Sequence, residues 1–228
     1  MILKFHPFFA LIAIIPIPSS LTIENEHLPQ ELHPIYSTDF ENGTDDWTFV
    51  DKGWKIKATG DSNVLSQHIK KSEYKPKFRS PLHMALLKQE RISNFQLDVR
   101  VLSTHKDYNH RDACLFFGYQ SPSRFYYVHL GKKADPHANQ IFIVNDADRT
   151  KISRTTTDGT DWDEKWHDVR IKRNISTGEI QVFFDDMTKP VMTAIDKTFG
   201  WGQVGLGSFD DTADWADFRL KGNLQKSN

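Results

Sequence analysis
Apolar and polar residues alternate with a period of two through much of this chain. In Asn94-Phe95-Gln96-Leu97-Asp98-Val99-Arg100-Val101, the apolar side chains fall on every second position. That is the pattern of a strand with one buried face. Residues 166–173, 180–184, 204–209 and 216–220 repeat it, and further strands are predicted at 54–58, 64–69, 114–119, 125–130, 140–144 and 150–155. Turn residues punctuate these runs at Glu41-Asn42-Gly43, Ser121-Pro122-Ser123, Asp158-Gly159, Thr177-Gly178 and Lys189-Pro190. No stretch keeps a 3.6-residue period for three turns, and Leu82–Arg91 is the best helical candidate. About a dozen closely spaced strands predict an all-β sandwich or barrel.

The first twenty residues break this pattern. Lys4 precedes an apolar run from Pro7 to Pro18, and Ser19-Ser20 follow as small residues suited to signal-peptidase cleavage. The run is too short to cross a hydrocarbon core of about 30 Å. The expected organisation is a signal peptide at 1–20, a lead-in at 21–35, one domain at 36–222 and a tail at 223–228. Such a chain is expected to be secreted or periplasmic, with no membrane span after cleavage. Lys and Arg total 29 against 30 Asp and Glu, a net charge of -1. That balance removes the electrostatic case for a nucleic-acid partner. Cys114 is the sole cysteine, so no intrachain disulfide braces the fold. Its thiol is expected to be buried and inert, and 16 Phe and 6 Trp supply the core instead. Trp166 heads an alternating run and is assigned to that core. Trp162 and Trp201, in loops, are candidates to stack on a sugar ring or to pack at the sandwich edge.

Several segments carry a family resemblance. They are Phe117-Gly118-Tyr119-Gln120, Arg124-Phe125-Tyr126-Tyr127-Val128-His129-Leu130, Trp166–Ile171, Ile180–Asp186, Gly202–Phe209 and Ala216-Asp217-Phe218. Across residues 36–222 the chain resembles the concanavalin A-like lectin and glucanase jelly rolls, especially their laminin-G-like branch. It is more loosely similar to the secreted 3-keto-disaccharide hydrolase group. The resemblance implies a two-sheet antiparallel jelly-roll sandwich with a concave, glycan-binding sheet. It does not fix an activity, because this fold hosts lectins, hydrolases, lyases and adhesion modules.

The candidate lining of that sheet is the segment 105–149. Tyr127 and His129 are two apart on one strand and share a face, while Tyr126 and Val128 face the core. His105, His110, Arg111, His137, Asn139, Gln140, Asn145 and Arg149 are the candidate substrate-binding residues. Arg suits a carboxylate or sulfate through its planar fork, so the expected partner is an oligo- or polysaccharide, an acidic one included. The Glu-x-Asp-x-x-Glu strand of the glucanase branch is missing, and the carboxylates of Asp161, Asp163 and Glu164 read as a solvated loop. Three readings therefore stay open. One is a lectin. Another is a lyase or hydrolase in which Tyr127 and His129 move protons while Arg111, Gln140, Asn145 or Arg149 holds a carboxylate. The last is a protein–protein adhesion module. No cofactor is required by any of them. The resemblance also implies a structural calcium, with Asp39, Glu41 and Asp217, or Asp210 and Asp211, as oxygen ligands. The histidine spacings match no standard zinc motif.

Overall fold
The computed structural model describes residues 1–2, 31–60 and 62–226. Most of the expected signal segment therefore lies outside the described residues. Among the described residues there is no helix, and so none long and apolar enough to cross a membrane. The strands are β1 (His33–Thr38), β2 (Trp47–Phe49), β3 (Trp54–Thr59), β4 (Ser62–Gln67), β5 (His83–Leu87), β6 (Ile92–Ser103), β7 (Asp112–Ser121) and β8 (Arg124–Gly131). They continue with β9 (Gln140–Asn145), β10 (Thr150–Lys151), β11 (Ser153–Thr156), β12 (His167–Arg173), β13 (Glu179–Phe184), β14 (Met192–Ile195), β15 (Gln203–Ser208) and β16 (Ala213–Leu224). A nine-stranded sheet runs β11-β14-β13-β12-β6-β16-β4-β3, with β1 also on β16, and a seven-stranded sheet runs β10-β9-β8-β7-β15-β5-β2. Every pairing is antiparallel. The chain is a two-sheet antiparallel jelly-roll sandwich.

The period-two runs fold as predicted because one side of each meets the opposite sheet. Phe95, Leu97, Val99 and Val101 from β6 meet Leu115 and Phe117 of β7 and Tyr126 and Val128 of β8 in the main core. Phe117 and Tyr126 stack at 5.0 Å, and Phe199 packs edge-on against Tyr126 at 5.1 Å. Arg173 enters this core yet is satisfied there, donating to the carbonyls of Gly178 at 2.6 Å and Phe199 at 3.2 Å. A buried charge without such acceptors would be strongly destabilising.

The seven-stranded sheet is unusual because its other face is also buried. Met84, Leu86, Cys114, Phe116, Tyr119, Phe125, Tyr127, Phe142 and Val144 form a second apolar cluster there. Val50, Tyr74 and Phe78 pack against it. Tyr74 and Phe78 belong to a strap, residues 68–82, that links β4 to β5 without regular structure. This two-sided burial explains why Leu82–Arg91 is a strand and not the expected helix. All five β5 residues are buried, and a continuous apolar run carries no period to read.

Other expectations also change. The strand predicted at 150–155 is two strands, because the chain crosses at Ile152 from the seven-stranded sheet (β10) to the nine-stranded one (β11). β1 begins at His33, within the stretch read as lead-in. Trp166 is half-buried against the Arg100 guanidinium at 5.4 Å, whereas its neighbour His167 is the buried residue. Trp162 is a core residue whose indole donates to the Leu130 carbonyl at 2.9 Å.

β15 must approach β5 closely, and glycine at 205 and 207 permits it. A Cβ on Gly207 would stand 1.9 Å from the His83 carbonyl oxygen and 3.0 Å from the Phe116 ring. Gly207→Ala is expected to destabilise by about 2 kcal/mol through overpacking. Calorimetry should read this as a Tm fall of about 4–8 °C.

Candidate functional site
Alternation along β8 puts Tyr127 and His129 on the face opposite the main core, as expected, and the register pairs them with Phe142 and Gln140 of β9. The face itself differs from the expectation. Tyr127 is 0% exposed, stacked on Phe142 at 5.0 Å, and its hydroxyl accepts from Arg149 Nη1 at 2.9 Å. Burial pushes its phenol pKa well up. His129 is 5% exposed. Burial first, then the Arg149 charge, pushes its pKa down to about 3, so the ring is neutral. Neither side chain reaches solvent, which removes them as surface acid–base groups. The middle of this face is apolar packing and not a trough.

The remaining predicted residues divide into three groups. Arg111 is buried and engaged, with Nε donating to Ser103 Oγ at 2.7 Å and Nη2 to the Ser103 and Asp163 carbonyls. Asn139 is fully buried in a left-handed conformation. Its amide donates to Thr156 and Thr157 and accepts from Thr160, which pins one loop. Gln140 is buried and donates to the Asp135 carbonyl. These three are structural. His110, His137 and Asn145 are exposed, and Asn145 accepts from Arg124 at 3.3 Å. Only His105 and Arg149 stand half-buried at the polar end of the sheet.

That end is built from five segments, of which the loop between β9 and β10 supplies Arg149. β7 supplies Asp112. The loop before it supplies His105 and Tyr108. The β15–β16 turn supplies Phe209, Asp210 and Asp211, and the strap supplies Lys70 and Arg79. Asp211 is the hub. Its Oδ1 and Oδ2 accept from the Tyr108 hydroxyl at 2.8 and 2.9 Å, and Oδ2 also accepts the Asp112 N–H at 2.9 Å. Lys70 Nζ stands 3.6 Å and His105 Nε2 3.4 Å from Oδ1. Asp112 Oδ2 accepts the Phe209 N–H at 2.8 Å and the Cys114 thiol at 3.4 Å, and lies 3.5 Å from His129 Nε2. Asp112 Oδ1 is buried with no partner. Burial, then the Asp211 charge, raises the Asp112 pKa. Burial also raises that of Cys114.

Two clusters have ligand-type atoms within 4.8 Å of one another: Asp112–Cys114–His129 and Asp112–Asp210–Asp211. The first does not fit a metal. The Asn139 N–H donates to His129 Nδ1 at 3.3 Å, so the neutral ring carries its proton on Nε2. That atom points a proton, not a lone pair, towards Asp112. In the second cluster positive charge is already supplied by Lys70, 3.6 Å from Asp211 Oδ1. The other expected calcium ligands are not gathered into either cluster. Asp39 accepts the Glu41 N–H at 3.0 Å, Glu41 accepts from the Asn63 backbone and amide at 2.6 and 2.8 Å, and Asp217 pairs with Arg100 at 3.2 Å.

Residues outside the 105–149 segment complete the site. His83 is fully buried, with Nδ1 at 3.2 Å from Asp51 and Nε2 at 3.0 Å from the Lys70 carbonyl. Burial alone would lower its pKa, but the contacts with Asp51 and the Lys70 carbonyl hold it above the usual value. His83 therefore anchors the strap. Phe209 is half-buried with two guanidiniums over its ring, Arg149 at 4.6 Å and Arg79 at 5.4 Å. The signal for these residues was present in the strap, where Tyr74 and Phe78 interleave with Lys70, Lys71, Lys75, Lys77 and Arg79.

Grooves also lie elsewhere. One of about 570 Å³ lies on the nine-stranded sheet, lined by β1 together with Gln96, Asp98, Arg219 and Lys221. Asp98 in its wall pairs with Arg170 at 2.5 Å. At the polar end of the seven-stranded sheet, Arg79 and Arg149 stand against Phe209, and among the described residues neither guanidinium has a carboxylate partner.

The buried Asp112 makes stability depend on pH. Its folded pKa is raised above the unfolded value of about 3.9, so the folded state holds the extra proton and loses stability as pH rises from that value towards the folded pKa. Asp112→Asn lacks this proton. Thermal melts are expected to show the variant gaining on the wild type steadily from pH 4 to pH 8, and a constant difference would contradict the assignment.

No protein-family model matches the chain, and no curated protein sequence does. Its fold is nonetheless shared with solved structures. The carbohydrate-binding module CBM66 from Bacillus subtilis is similar at 20% identity and TM-score 0.54, over 78% of this chain and 96% of that one. A Bacillus subtilis protein of unknown function with a galectin-like fold matches at 12% identity and TM-score 0.56, over 85% and 98%. The winged bean acidic lectin, solved with methyl-alpha-D-galactose, matches at 16% identity and TM-score 0.53, over 86% and 100%. The chain has the concanavalin A-like jelly-roll fold.

Proposed function
We propose that the protein is exported and binds carbohydrate at the polar end of the seven-stranded sheet. The observation that carries this reading is the half-buried Phe209 ring with Arg79 and Arg149 against it. A sugar ring presents an apolar C–H face to an aromatic ring, and its hydroxyls accept from guanidinium and imidazole donors at the rim. Similarity to a carbohydrate-binding module and a galactoside-binding lectin supports the same reading. Binding without turnover is favoured over the lyase and hydrolase versions, because the acid–base groups those need, Tyr127 and His129, are sealed beneath Phe142, Arg149 and the strap. Export rests on the leader-like pattern of residues 1–20.

Two measurements test the proposal. A glycan array followed by calorimetry should find a saccharide ligand whose affinity falls about tenfold or more in Phe209→Ala, while Trp201→Ala leaves it within about twofold; the tenfold loss corresponds to about 1.4 kcal/mol. No ligand on the array, or an unchanged affinity in Phe209→Ala, would sink the binding site. N-terminal sequencing of protein recovered outside the cytoplasm should begin near residue 21. An intact Met1 would remove the cleaved-leader reading.

A further inference from the structure
We infer that Arg149 and Arg79 form a subsite for one anionic group on the glycan, a sulfate ester or a uronate carboxylate, seated beside Phe209. This deepens the binding reading above and rests on it. Two arginines offered themselves as anion ligands in the segment 105–149, and the fold separates them. Arg111 is closed in by Ser103 and Asp163, with Asp107 at 3.7 Å. Arg149 has one hydrogen-bond acceptor for its side chain, the neutral Tyr127 hydroxyl, and its Nε is buried without a partner. Among the described residues no carboxylate pairs with its guanidinium or with that of Arg79.

The backbone holds these two cations together. The Arg149 N–H donates to the Arg79 carbonyl at 3.3 Å, and the Arg79 N–H donates to Asp148 Oδ1 at 2.8 Å. Both guanidiniums face the same ring, and Phe142 backs Arg149 at 4.8 Å. Two like charges on one aromatic ring repel each other, and an oxyanion accepting from both offsets that repulsion.

The probes are dextran sulfate for sulfate, polygalacturonate for carboxylate and dextran as the neutral control, measured by calorimetry at several salt concentrations. One of the two anionic polymers is expected to bind at least tenfold tighter than dextran, and which one binds identifies the group. Arg79→Ala, at an exposed position, and Arg149→Gln should each weaken that binding at least fivefold and flatten its salt dependence. Lys71→Ala/Lys75→Ala should leave it within twofold. Equal binding of charged and neutral polymers would overturn this subsite and leave the sugar-binding reading standing. An anionic preference lost in the lysine variant and kept in both arginine variants would overturn it equally. Failure to bind any polysaccharide would remove both.

Discussion
The structure depends on covering both faces of the seven-stranded sheet. A sandwich normally buries one face of each sheet against the other. Here the second face is equally apolar, with Phe116, Phe125, Tyr127 and Phe142 all at or below 1% exposure. Left open, that surface would be an aggregation hazard. The strap closes it with Tyr74 and Phe78, and His83 ties the strap down through the Lys70 carbonyl. Glycines 205 and 207 let β5 and β15 lie close beneath this cover. Because the apolar seal ends at Phe209, the polar residues beyond it are confined to one end of the sheet.

The electrostatics follow from that confinement. Asp112, Asp210 and Asp211 crowd together where solvent is scarce. The fold answers with hydrogen bonds from Tyr108 and backbone N–H groups, a nearby Lys70, and a proton favoured on Asp112. Arg149 stands over the Phe209 ring and receives no comparable partner. Thus Asp211 is satisfied internally while Arg79 and Arg149 keep no carboxylate partner, and this asymmetry favours an anionic ligand over a cationic one.

The fold was legible in the sequence because one-sided strands announce themselves. The alternation at 94–101 revealed both the strand and its buried face, that at 166–173 revealed the strand but put Trp166 in the core where His167 is the buried residue, and the split of Tyr126 and Val128 from Tyr127 and His129 was correct. What the period-two signal does not carry is whether the second face is wet. Tyr127 and His129 sit on a non-core face, which reads as solvent unless the covering segment is recognised. That segment, 68–82, has no period and lies some fifty residues upstream of them. The same blindness turned β5 into a candidate helix. Of the binding residues named from composition, Arg149 and His105 remain at the candidate site, while Arg111, Asn139 and Gln140 were drawn into structural hydrogen bonds that only tertiary contacts reveal.

The most direct measurement is a crystal structure of the protein soaked with an oligosaccharide of the polymer it binds. The account predicts ligand density packed on Phe209, with an anionic substituent within hydrogen-bond distance of Arg149 or Arg79 and the strap still in place. Density in the grooves of the nine-stranded sheet, or on Tyr127 after displacement of the strap, would contradict it.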